Sequence, residues 1–201
     1  MHRFHFVAMF SRKRFFLNRA ALGMVLAALC FMAVLYLPDT ASAQQNTVER
    51  MTQPGRMALG TSVGIQSGTA DGTIFGLTSN LDYYLDRHLS LGPLLQVGIS
   101  DDFFQLGLSG QAKYVFTSPE MPRLRPHLQG GLGIIGMDLD RPGPGDNDDI
   151  GFLIPLGSGI EYAVGKNTFL GTTLLLNFTD ADVRGQDNVF MSWVFGQSAR
   201  L

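Results

Sequence analysis

A single cysteine, Cys30, occurs in the 201 residues, so no internal disulfide framework can form. Cys30 is also poorly placed for a lipid anchor, because Leu29 stands where a lipoprotein site has a small residue and more apolar residues follow. Beyond residue 43 the chain lacks any run approaching about 18 apolar residues, and a transmembrane helix is excluded there. Basic clusters are missing from the same region. Of 15 basic and 17 acidic residues, five basic (Arg3, Arg12, Lys13, Arg14, Arg19) and one acidic (Asp39) fall before residue 44, leaving 10 against 16 and a net charge of −6. That balance argues against nucleic acid as a partner. Histidine shrinks to His88 and His127 beyond residue 43, which leaves few candidates for a general base.

What the N-terminus does contain is a basic stretch, MHRFHFVAMFSRKRFFLNR, an apolar run from Ala20 to Leu37, and Ala41-Ser42-Ala43. A basic region, an apolar region and a small-x-small site together make a secretory signal peptide, with cleavage expected after Ala43. An uncleaved membrane anchor is the alternative. Cleavage would remove 43 of the 201 residues, leaving a cysteine-free domain of 158. An exported chain of that size without disulfides needs another constraint, and closure of a hydrogen-bonded barrel supplies one.

The rest of the chain repeats with period two. In GRMALGTSVGIQSG the apolar residues are Met57, Leu59, Val63 and Ile65, alternating with Ala58, Gly60, Ser62, Gly64 and Gln66. Seven more alternating segments follow, marked by Leu81 and Tyr83, Leu95 and Val97, Leu106 and Leu108, Leu132 and Ile134, Ile160 and Tyr162, Leu174 and Leu176, and Met191 and Trp193. The opposite parity includes Thr78, Gln96, Gly98, Gln105, Gly107, Gln111, Gln129, Gly131, Gly157 and Gly159, and it reads as too small and polar for an apolar core or an apolar pocket. The bulky side must then face outward, towards lipid, and each segment is about the 9 to 11 residues that cross a bilayer as a tilted strand. A soluble lipocalin-like barrel binding a small ligand is the rival, and it would need bulky side chains inside. Counted from the first, the odd connections SGTADG, SDD, DRPGPGDNDD and TDADVRGQD are polar and acidic, whereas LDRH and VGKN are tight; TSPEMPRLRP is the long exception. Pro93 and Pro155 fall inside strands and each removes a ladder donor, which predicts bulges or strand ends there.

The predicted fold is all-β, an eight-stranded antiparallel up-and-down transmembrane β-barrel over residues 55–196. A signal peptide (1–43) and a short periplasmic segment (44–54) precede it, and a C-terminal tail (197–201) follows. The segment IEYAVGKNTFLGTTLLLNF resembles the penultimate hairpin of the small eight-stranded outer-membrane β-barrel family, the outer membrane protein beta-barrel domain. The segment VFMSWVF is similar to its aromatic-ended last strand, although six residues, GQSARL, run on beyond it. The resemblance implies the outer membrane of Gram-negative bacteria, with its lipids, lipopolysaccharide and the barrel-assembly machinery as partners. The motifs that carry it speak to architecture and little to activity; the expected function is a non-enzymatic structural, adhesive or surface-interaction role carried by the extracellular loops. A lipid A-modifying enzyme is the alternative, and that chemistry needs a serine within reach of a histidine and an orienting group. His88 reads as a turn residue and His127 as a strand residue, neither with serine at a motif spacing, so no catalytic, cofactor or metal residue is assigned. The acidic run from Asp138 to Asp149 offers oxygens for calcium but lacks the spaced ligands of a calcium loop.

Five charged or titratable residues share lumen parity and the periplasmic end of their strands: Arg56, Asp82, Lys113, His127 and Glu161. Their signs balance. They are expected to form a hydrogen-bonded structural plug in the periplasmic half, beneath a glycine-lined cavity in the outer half, because an unpaired charge in a narrow lumen is costly.

Overall fold

A computed structural model describes residues 54–140, 148–165, 167–183 and 187–201. The expected signal peptide, the site at Ala41 to Ala43, Cys30 and most of the 44–54 segment lie outside the described residues. Eight strands follow one another: β1 (Met57–Thr69), β2 (Gly72–Tyr84), β3 (Leu89–Ile99), β4 (Phe103–Val115), β5 (Leu124–Leu139), β6 (Asp148–Ala163), β7 (Thr168–Thr179) and β8 (Val189–Arg200). Each pairs antiparallel with the next, and β8 closes on β1 to complete the barrel. Among the described residues no helix is long and apolar enough to cross a membrane. The end where β1 begins and β8 finishes is called proximal here, and the opposite end distal.

Alternation sets the two faces. Outward positions expose large apolar side chains around the barrel, including Val63, Phe75, Leu108, Leu132, Ile134, Leu156, Leu174 and Trp193, with Leu132 at 71% and Ile150 at 76% exposure. Water would penalise so continuous an apolar belt, whereas hydrocarbon would not. Leu77 and Val97, opposite each other in β2 and β3, share this parity but are buried.

Four expectations need correction. The supposed tail is strand: Gln197 to Ala199 pair with both neighbours, and Arg200 still pairs with Ala58 of β1. The first distal connection is shorter than the SGTADG assigned to it, since only Ala70 and Asp71 separate β1 from β2. Gly68 and Gly72 take φ of 83° and 78° there, a left-handed backbone that favours glycine, and the register shifts between Ser67 and Thr69. Pro93 and Pro155 produce neither bulges nor strand ends. Pro93 keeps its place opposite Gly110, while pairing to β2 lapses between Asn80–Leu94 and Tyr83–Leu91. Pro155 likewise faces Asn177, while pairing to β5 lapses between Gly130–Leu156 and Gly133–Leu153. Each proline turns its missing donor towards one neighbour only, so the register survives.

The interior is the fourth correction. Its distal half is filled by an apolar cluster comprising Ile74, Phe103, Ile135, Met137, Leu139, Leu153 and Phe190, with Ala181 and Val183 from the β7–β8 connection. The glycines there line no void. A Cβ on Gly98 would lie 2.6 Å from Gln105 Cγ and 2.7 Å from Ile74 Cδ1, and one on Gly107 would lie 2.8 Å from Leu153 Cδ2. Those missing side chains are the space that the larger inward residues occupy.

The closed lumen as candidate functional site

Charged residues enter the proximal half from alternate strands. Asp82 lies on β2, Lys113 on β4 and Glu161 on β6, all inward and all buried. Lys113 Nζ sits 2.7 Å from Asp82 Oδ2 and 3.0 Å from Glu161 Oε1, bridging both carboxylates across the lumen. Neighbouring amides complete the shell of Asp82: Asn80 Nδ2 donates to Oδ2 at 2.9 Å and Gln111 Nε2 to Oδ1 at 3.3 Å. Two carboxylates around one ammonium would leave a buried negative charge. Arg125, 1% exposed, supplies the second cation, with Nη1 3.9 Å from Glu161 Oε2. Its Nη2 donates to Tyr84 Oη at 3.4 Å and its guanidinium stacks 4.6 Å over the Phe169 ring. Two acids and two bases thus make the cluster electrically neutral.

Of the five residues anticipated from sequence, Asp82, Lys113 and Glu161 are brought together directly. His127 stands beside them, buried, with Nε2 3.3 Å from Thr173 Oγ1. Arg56 does not join: it is exposed just before β1, where its carbonyl accepts the Tyr84 N–H at 2.9 Å. Arg125 takes the place assigned to Arg56. Beside the cluster a cavity of about 40 Å³ is lined by Ser62, Asn80, Lys113, Gln129, Glu161 and Thr173 among others, room on the scale of water and not of an organic ligand. This space lies in the proximal half, opposite to the expected side.

Between the charged and apolar ends runs a layer of amides. Gln96 Nε2 donates to Asn177 Oδ1 at 3.0 Å, and Asn177 Nδ2 passes the chain to Ser192 Oγ at 3.0 Å. Gln105 donates to Gln66 alongside. The lumen is thus occupied in three tiers.

Both described histidines meet threonines. His88 Nε2 lies 3.2 Å from Thr117 Oγ1, with its ring stacked on Tyr114, and His127 has the contact with Thr173 already described. No serine takes part in either. At the distal rim two aspartates serve the backbone, Asp180 Oδ1 accepting the Phe152 N–H at 2.7 Å and Asp149 Oδ2 the Asp182 N–H at 2.7 Å, while Asp71 accepts from the Ser100 hydroxyl. At the proximal turn, hydrogen bonds from the N–H groups of His88 and Leu89 hold the Asp86 carboxyl below the usual carboxylate range.

No family model matches the sequence, and no curated protein matches it. Solved structures do resemble it. The N-terminal β-barrel domain of Pseudomonas aeruginosa OprF superposes with a TM-score of 0.57 at 15% identity, covering 74% of this chain and 100% of that domain. Neisserial surface protein A gives 0.57 at 17% identity, over 73% of this chain and 96% of that one. Ail, the attachment invasion locus protein of Yersinia pestis, gives 0.50 at 14% identity, over 74% and 100%. The fold is that of the small eight-stranded outer-membrane barrels.

Proposed function

We propose that this barrel resides in the outer membrane as a closed, non-enzymatic scaffold, and that its structural, adhesive or surface-interaction role is carried by the distal rim and loops. The observation that carries this reading is the occupied lumen, tiered from the ion cluster through the amides to the apolar cluster, inside a belt of exposed apolar residues. A lumen so filled conducts no solute of useful size and holds no lipocalin-type ligand. The threonine partners of His88 and His127 offer no serine nucleophile, which weighs against lipid A hydrolysis or transfer. What remains chemically available is the distal end, where Asp101, Asp140 and Asp148 are exposed and no Lys or Arg stands among the described residues. Such a surface favours cationic partners. Lipopolysaccharide and outer-membrane lipids surround the belt in this reading, and the barrel-assembly machinery inserts it.

Surface labelling tests the arrangement. A cysteine at Asp101 should react with an impermeant maleimide on intact cells, and one at Glu120 only after lysis. Labelling in the reverse order overturns the orientation, and recovery of the chain in the soluble periplasmic fraction overturns the membrane reading.

A further inference from the structure

The outer face is not uniformly bulky. A depression of about 440 Å³ crosses β5 to β8 on the apolar belt. Two hydrogen-bonded rows explain it. In one, Trp193, Leu174, Ser158 and Leu128 stand side by side, and in the next, Thr172, Ile160, Pro126 and Phe116. Ser158 and Thr172 are the small outward residues among large ones, so the surface sinks where they meet. Thr172 is kept from protruding as a polar spot, since its Oγ1 accepts the Trp193 indole N–H at 2.9 Å and donates to the Val194 carbonyl at 3.1 Å.

The trough is steep. Trp193 lies mid-strand in β8, whereas Tyr114, at the other end of the same row, is next to the last residue of β4. Following the row therefore descends from the middle of the belt to the proximal rim. There Tyr114 packs edge-on against Phe116 at 5.1 Å and stacks with His88. Arg87 and Arg123 stand nearby on the connections, along with Glu120 and Asp86, the latter engaged by its own turn. The rim also carries Arg56 and Arg200, which gives it a basic excess, whereas the distal rim is acidic.

We propose that the trough binds one acyl chain of a phospholipid of the periplasmic leaflet, with its phosphate at the proximal rim beside Arg87 and Arg123. This rests on the membrane reading above. Shape selects a flexible chain over a flat protein face, since the trough sinks only along the line where Ser158 and Thr172 meet, with Trp193, Leu174 and Leu128 in one row and Ile160, Pro126 and Phe116 in the other. Charge selects the leaflet, because a phosphate meets arginines at the proximal rim and aspartates at the distal one.

The test uses the full barrel extracted from outer membranes in mild detergent and weighed by native mass spectrometry. The wild type should retain one phospholipid per barrel. Ser158→Phe and Thr172→Phe, which fill the trough from outside, should lower retention at least five-fold, and Arg87→Glu with Arg123→Glu should lower it by a smaller factor. Heat-modified gel mobility shows that each variant is folded. Equal retention in wild type and filled variants overturns the proposal, as does retained lipopolysaccharide, or a dimer that Ser158→Phe disperses. Absence of the barrel from the outer-membrane fraction instead removes the membrane reading itself, and the two failures are told apart by that fractionation.

Discussion

The two halves of the lumen solve one problem with opposite chemistry. Distally, Phe103, Ile135, Met137, Leu153 and Phe190 close the barrel by packing, which is non-directional and relaxes around a change. Proximally, Asp82, Lys113, Arg125 and Glu161 close it by charge, where every partner has a fixed position and the shell works only when complete. The apolar half should therefore lose stability in proportion to the volume removed, and the charged half should fail as a unit.

The sharpest way to break this contrast is Lys113→Ala. It leaves two buried carboxylates facing each other with Arg125 alone to answer them, and we expect a loss of about 3 to 5 kcal/mol in urea unfolding from lipid bilayers. Glu161→Ala should be similar, and the double variant should cost less than the two singles together. Additive losses would mean that the cluster is not one unit. A somewhat smaller effect is expected distally: Leu153→Ala should cost about 2 to 4 kcal/mol, near the lower part of the range for such truncations, with bilayer conductance still at the closed level. Conductance on Leu153→Ala but none on Lys113→Ala would invert the assignment of the two halves. The smallest effect belongs to Arg56→Ala, expected within about 0.5 kcal/mol because the side chain is exposed and outside the ion cluster. A loss like that of Lys113→Ala would bring Arg56 back into the cluster.

The barrel was legible because outward residues obey the alternation with few exceptions, and eight such segments can close in only a few ways. The apolar cluster was not, since its members sit in unbroken apolar runs, IIGM around Ile135, FLI around Leu153 and VF ending in Phe190, where both parities are apolar and the inward residue hides beside the outward one. Arg125 was obscured by Pro122 and Pro126, which make TSPEMPRLRP look like a connection throughout, although β5 begins at Leu124. Its odd number, shared with His127 and Gln129, was the signal that could have found it. Arg56 was misassigned because parity specifies a face only within a strand, and β1 begins one residue later. The trough escaped for a different reason: Ser158 and Thr172 become neighbours only when register joins β6 to β7.

The seam between β1 and β8 sets the order of events in assembly. Ala58 pairs with Arg200 and Ser67 with Met191, so the contacts that complete the cylinder join the two most distant strands of the sequence. Such pairings pay nearly the full loop-closure cost before they return any free energy, which makes closure the slow, late step. Until it happens β1 and β8 are bare edges open to strands of another chain. A chain truncated before Val189 would lose β8 and retain most of its lipid-facing surface, yet leave the edges of β1 and β7 permanently exposed, and its fate would be aggregation or degradation in place of a smaller barrel.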